Sequence, residues 1–140
     1  MLSQDFIQIN YVAVLVAAAA SFVVGGIWYG ALFAKAWVRL HGFNKADIDR
    51  MAKQQPRNFA AFFAGDLVTC IVLWLVMSSL NVQSALSGLV LAMVVWLGFQ
   101  VPQCLSKALA GNKPMALFGI DISHQLASLA VMGLIIGAWH

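Results

Sequence analysis

The sequence predicts an all-α fold: a bundle of four transmembrane helices, with a short interfacial helix in the first cytoplasmic loop. Three observations carry that expectation. Of the 140 residues, 62% are hydrophobic and only 9% charged, against about half and about a quarter in a soluble domain. Four apolar runs each approach or exceed the length needed to cross a bilayer, about 20 helical residues. The basic residues fall only in alternate loops. So large an apolar excess cannot be buried in a core of this size, and the lipid bilayer must cover part of it. Residues 1–140 are read as a single membrane domain.

The first run, about 9–33, reads INYVAVLVAAAASFVVGGIWYGALF. It is longer than a signal-peptide core, and MLSQDFIQIN at its start lacks a basic leader, so it reads as a mature span. The other runs lie at about 58–79, 84–106 and 115–139. Lipid cannot hydrogen-bond their backbones, so each is assigned as helix. Residues 80–83, NVQS, form a tight turn. Residues 107–114, KALAGNKP, form a short loop with Gly111, Asn112 and Pro114 as breakers.

Six of the eight basic residues occupy loop 34–57: Lys35, Arg39, Lys45, Arg50, Lys53 and Arg57. Lys107 and Lys113 mark the third connection, and the NVQS turn and both termini have none. The positive-inside rule then places loops 34–57 and 107–114 in the cytoplasm and both termini outside, in a multi-pass membrane protein. Basic residues dispersed over loops do not form a nucleic-acid surface. Among the aromatics, Tyr11, Trp74 and Trp139 are placed toward the outer lipid interface, and Trp28, Tyr29 and Trp37 toward the inner one.

Within loop 34–57, Asn44 is a good N-cap and Asp47 stands three residues on, near the positive helix start. Ile48, Met51, Ala52 and Gln55 share one side, and Pro56 is expected to end the element. Such a segment either anchors against lipid headgroups or gates the bundle mouth. Cys70 and Cys104 read as packing residues, and His41 and His140 receive no role.

The most unusual stretch is GIDISHQLAS, residues 119–128, inside the fourth apolar run. An Asp at mid-span costs about 2.5–3.5 kcal/mol on the insertion scale. With about 1.5 Å of rise per residue, Asp121 lies roughly 10 Å, His124 roughly 15 Å and Asp66 roughly 12 Å from the cytoplasmic surface. Gln100, Gln103 and Tyr29 come out at roughly 9, 5 and 6 Å. Polar groups from all four helices thus gather in the inner half. At about 100° per residue, Asp121, His124, Gln125 and Ser128 share one arc, as do Trp96, Gln100, Gln103 and Lys107. Trp96 is placed as a wall of this polar site.

Several readings of the cluster compete. It is a packing network, although such bonds are worth only about 0.6 kcal/mol on average in membranes. Or it is a proton or ion site in which Asp121 and His124 share a proton and Asp66 faces them, serving proton-coupled transport or conduction of an unidentified small solute or ion. A metal site of Asp66, Asp121 and His124 lacks any signature spacing, so neither metal nor other cofactor is expected. No Ser/His/Asp set or metalloprotease motif is present, and no enzyme activity is expected. A structural or accessory subunit of a membrane complex is the remaining alternative.

Small residues form seams. Gly26 and Gly30 lie four apart in the first span, with Ser21, Gly25 and Tyr29 on an adjacent row. Ser84, Gly88 and Ala92 do the same in the third, and Gly133 and Gly137 in the fourth. The small-residue side of the fourth span lies roughly opposite Asp121 and His124, so both sides want protein. That predicts a homo-oligomer, with a second subunit on one side.

Trp28-Tyr29-Gly30 with Leu32-Phe33 and Trp37, then Trp96-Leu97-Gly98-Phe99, and the closing Gly137-Ala138-Trp139 give the chain a family likeness. In these pieces it resembles, over its full length, the bacterial membrane family designated domain of unknown function 1761. The resemblance implies a four-helix integral membrane protein, expected in the bacterial inner (plasma) membrane. It implies no activity and supplies no catalytic residues.

Overall fold

The computed structural model describes Gln4 and residues 8–140. Most of the amino-terminal stretch read for a leader lies outside the described residues. Five helices come after Asn10: α1 (Tyr11–Leu32), α2 (Ala34–His41), α3 (Lys45–Ser79), α4 (Ala85–Ala110) and α5 (Met115–Trp139). All but α2 are long and apolar enough to cross a membrane, and no strand is present among the described residues.

Polar side chains start three of these helices. The Asn10 side-chain oxygen accepts from the backbone N–H groups of Val12 and Ala13. Asn44 and Asp47 form a reciprocal capping box at the start of α3. Ser84 accepts from the Ser87 N–H at 3.1 Å to open α4. Gly42, at φ 71°, ends α2 in the left-handed conformation that costs glycine least.

The loop element expected over 44–56 is not separate. Its cap is correct, but α3 runs unbroken through Pro56 for 35 residues. Pro56 and Ala52, whose carbonyl the proline leaves unbonded, are both exposed, so water can satisfy the loss. At about 1.5 Å per residue α3 reaches about 52 Å, beyond the roughly 30 Å of hydrocarbon. Lys45–Arg57 therefore projects past the apolar part. The short helix of the loop is α2, which folds back beneath the bundle against α5.

Helix α5 is the hub, packed against α1, α4 and, more lightly, α2 and α3. The dry core lies in the half away from the basic loops. There Val14, Ala17 and Ala18 meet Leu73, Trp74, Met77, Met132 and Ile136. Trp74, expected at a lipid interface, is buried in this core and stacks with His140 at 4.0 Å. Leu86, Val90, Val94 and Leu97 face outward along α4.

The small-residue seams resolve differently from one another. A Cβ on Gly88 would collide with the Gly133 carbonyl, and one on Gly137 with the Ser84 carbonyl. The Gly133 side also meets Ala92 Cβ at 2.7 Å. Helices α4 and α5 thus touch backbone to backbone, and the small face of α5 at Gly133 and Gly137 is filled by its own chain. A second subunit is not needed to cover it. A Cβ on Gly26 or Gly30 would meet nothing within 4 Å.

Two helices change pitch. Residues Ile27–Leu32 of α1 and Trp96–Gln100 of α4 are π-helical. The first closes with the Phe33 N–H donating to the Trp28 carbonyl at 2.9 Å. The second closes with the Val101 N–H on the Trp96 carbonyl. Each wide turn inserts one residue into the 3.6 repeat and rotates the rest of the helix. After Trp96 the inward side is therefore Val101, Cys104, Leu105 and Ala108, all partly shielded. Gln103, placed inward by a regular period, turns outward beside Phe99 and Ser106.

Candidate functional site

The site grows from one row of α1. Ser21, Gly25 and Tyr29 succeed one another at four-residue intervals, so they lie on one side of the helix, facing its neighbours. The Tyr29 hydroxyl donates to Asp121 Oδ1 at 2.7 Å. The Tyr29 ring meets the His124 imidazole edge to face, centroids 4.8 Å apart. Gly25 leaves space for that imidazole: a Cβ there would stand 3.3 Å from His124 Nε2. His124 Nε2 lies 3.2 Å from Ser128 Oγ. His124 Nδ1 is buried with no hydrogen-bond partner among the described residues. An unpaired buried nitrogen costs about 1–3 kcal/mol.

Two tryptophans hold α5 on either side of Asp121. The Trp28 indole donates to the Ile120 carbonyl at 3.2 Å, and the Trp96 indole to the Ile122 carbonyl at 2.9 Å. Ser123 also donates to Ile120 O, at 3.0 Å. Both tryptophans sit in the π-helical turns, whose wider pitch lets a large ring reach α5. The W-x-G pieces of the sequence, Trp28-Tyr29-Gly30 and Trp96-Leu97-Gly98, are these turns. Trp96 was expected to wall the polar site, and it clamps the backbone next to it. Trp28, expected at the lipid interface, does the same.

Asp66 takes a different place from the one expected. Its carboxyl approaches the buried Ser21, two helical turns and about 12 Å along α1 from Tyr29. It stands at the deep end of the polar file, not opposite Asp121. No three His, Cys, Asp or Glu side chains converge as metal ligands among the described residues. Helix α3 packs chiefly on α1, which brings Asp66 to Ser21 and away from Asp121. Gln100 and Gln125 are half-buried but stand outside the Asp121–Tyr29 and His124–Ser128 hydrogen bonds.

A cavity of about 150 Å³ opens beside Asp121 on the basic-loop side, lined also by His41, Cys104, Lys107, Lys113 and Phe118. Cys104, expected only to pack, lies on it because of the π turn. His41, given no role from sequence, reaches it because α2 folds under the bundle. Its ring lies 4.4 Å from Trp37 and stacks on Phe43, and Trp37 in turn touches Tyr29, ring centroids 6.2 Å apart. The Trp37–His41 spacing of four, one helical turn, was the available signal. Partial burial holds the His41 imidazole below the ordinary histidine pKa, and the Lys113 ammonium adds to this while Asp121 opposes it.

The Asp47–Arg50 pair at 2.8 Å is the one ion pair among the described residues. Lys107 and Lys113 therefore share a cavity with Asp121 without pairing to it. A carboxylate and an imidazole one turn apart thus share Tyr29 as a neighbour, and side chains of both charge signs line one cavity.

A family model described as a protein of unknown function, DUF1761, matches residues 12–137. No curated protein and no solved structure matches the chain.

Proposed function

The chain belongs to the DUF1761 family of proteins of unknown function, and from that premise we propose that it is a bacterial inner-membrane protein moving a small solute or ion coupled to protons. The loops bearing the basic residues face the cytoplasm in this reading, with both termini outside. The observation that carries it is Asp121: a carboxylate at the foot of a cavity, joined to Tyr29 at 2.7 Å, with His124 one turn deeper.

The working cycle is built from these contacts. Asp121 takes a proton from the cytoplasmic cavity. Its charge is lost, and with it the charge-assisted bond from Tyr29 weakens. The freed phenol still touches His124, whose unpartnered Nδ1 can accept the next proton. Ser128, and then Ser21 with Asp66, continue the polar file toward the dry core. That core seals the opposite half, so this state is open to one side, and delivery requires the far half to part.

Purified protein in vesicles should acidify the lumen under an imposed solute or pH gradient, and Asp121→Asn and His124→Ala should abolish the flux. Folded protein that gives no flux under any gradient would favour the second reading, a non-catalytic accessory subunit. The water-exposed Lys45–Arg57 end of α3 would then be its contact surface. Copies that associate would use the open row of Gly26 and Gly30. Cross-linking in native membranes that yields only monomers would remove that part.

A further inference from the structure

The cavity beside Asp121 is lined by charges of opposite sign that do not pair with one another. Asp121 lies at the inner end, where its Oδ1 is engaged by Tyr29. Lys107 and Lys113 lie toward the loop side with His41. Lysine side chains are long and flexible, and an available carboxylate in a partly dehydrated site is a strong attractant. Here both lysines are exposed and neither pairs with Asp121. Its floor is apolar, from Phe118, Leu117 and Ala108. The cavity, about 150 Å³, is open on one side. That is room for a small organic ion and too little for a nucleotide or a peptide.

We infer that this cavity binds a small zwitterion of amino-acid size, its ammonium on Asp121 and its anionic group between Lys107 and Lys113. A plain cation would satisfy Asp121 and leave both lysine ammonium groups without an anion. A plain anion would meet the lysines but bring its charge toward Asp121. Only a dipolar ligand answers both ends, and Phe118 and Leu117 cover its short carbon segment. The inference rests on the transport reading for its purpose, since it names the solute class, but the binding site stands on its own geometry. The same dipolar chemistry occurs in a free amino acid and in a phosphatidylethanolamine headgroup.

The test uses full-length protein in nanodiscs, one set of phosphatidylglycerol alone and one containing phosphatidylethanolamine. Equilibrium dialysis and tryptophan fluorescence follow L-alanine, β-alanine, taurine and O-phosphoethanolamine, with ethylamine, propionate and methyl phosphate as single-charge controls. At least one zwitterion should bind saturably in the phosphatidylglycerol discs, at least tenfold more tightly than its single-charge halves. Asp121→Asn should erase the preference over the anion, and Lys107→Ala with Lys113→Ala the preference over the amine. Binding lost only in the phosphatidylethanolamine discs would identify the headgroup as the natural occupant. Lack of saturable binding by every zwitterion in folded protein, or equal binding of the halves, overturns the inference. Zwitterion binding without proton flux would sink the coupling and leave the site. Proton flux without zwitterion binding would do the reverse.

Discussion

Tyr29 and Asp121, 92 positions apart in the chain, are joined by a 2.7 Å hydrogen bond from the phenol to the carboxylate. The bond ties α1 to α5 at the foot of the cavity. Tyr29→Phe deletes it and leaves the ring against His124, so the loss should be about 1.5–3 kcal/mol, the range for a bond to a charged acceptor. Tyr29→Ala should cost more, because it also removes the aromatic contact. Reversible unfolding in bicelles, followed by tryptophan fluorescence, measures both. Equal losses in the two variants would show that the ring contributes nothing.

The two indole clamps should differ in strength. Ile120 O receives the hydroxyl of Ser123 as well as the Trp28 indole, whereas Trp96 is the one side chain that donates to Ile122 O. Trp96→Phe should therefore destabilise more than Trp28→Phe. Each loss should be about 0.5–1.5 kcal/mol. The same unfolding assay decides the order.

Glycine replacements sort by what surrounds them. Gly88→Ala, Gly133→Ala and Gly137→Ala each push a methyl into facing backbone, and overpacking of that kind costs about 1–3 kcal/mol or more. Gly26→Ala and Gly30→Ala enter open space and should stay within about 0.5 kcal/mol. Yield of folded protein and thermal midpoint in detergent separate the groups. A severe loss at Gly26 or Gly30 would reveal a contact made between copies.

His41 gives a pH signature outside the spans. Its pKa is held below the ordinary value of 6.5 by partial burial first and Lys113 second, against a smaller opposing effect of Asp121. A histidine lowered on folding favours its neutral form, so its contribution to stability is complete above about 6.5 and is lost as pH falls through the lowered value. The ring is only partly buried, which keeps the effect small. NMR titration should find the midpoint below 6.5, moving up in Lys113→Ala and further down in Asp121→Asn. Opposite movement in either variant would place these charges elsewhere.

Composition and periodicity alone settled the class of molecule: a multi-pass, all-α membrane protein whose four apolar runs recur as α1, α3, α4 and α5. They also located the Asn44–Asp47 start of α3 and singled out Tyr29, Asp121, His124 and Ser128, which do come together. These depend on hydrophobicity, capping and one regular helical period, all local properties. What tertiary structure decided depends on departures from that period and on neighbours far along the chain. The π turn at Trp96 sent Gln103 outward and Cys104 inward. The choice of α1 as the partner of α3 gave Asp66 to Ser21. The backbone contact of α4 with α5 used up the glycines that had called for another subunit. A helix face read at 100° per residue holds only until one residue is inserted, and no single stretch of sequence records which neighbour will fill it.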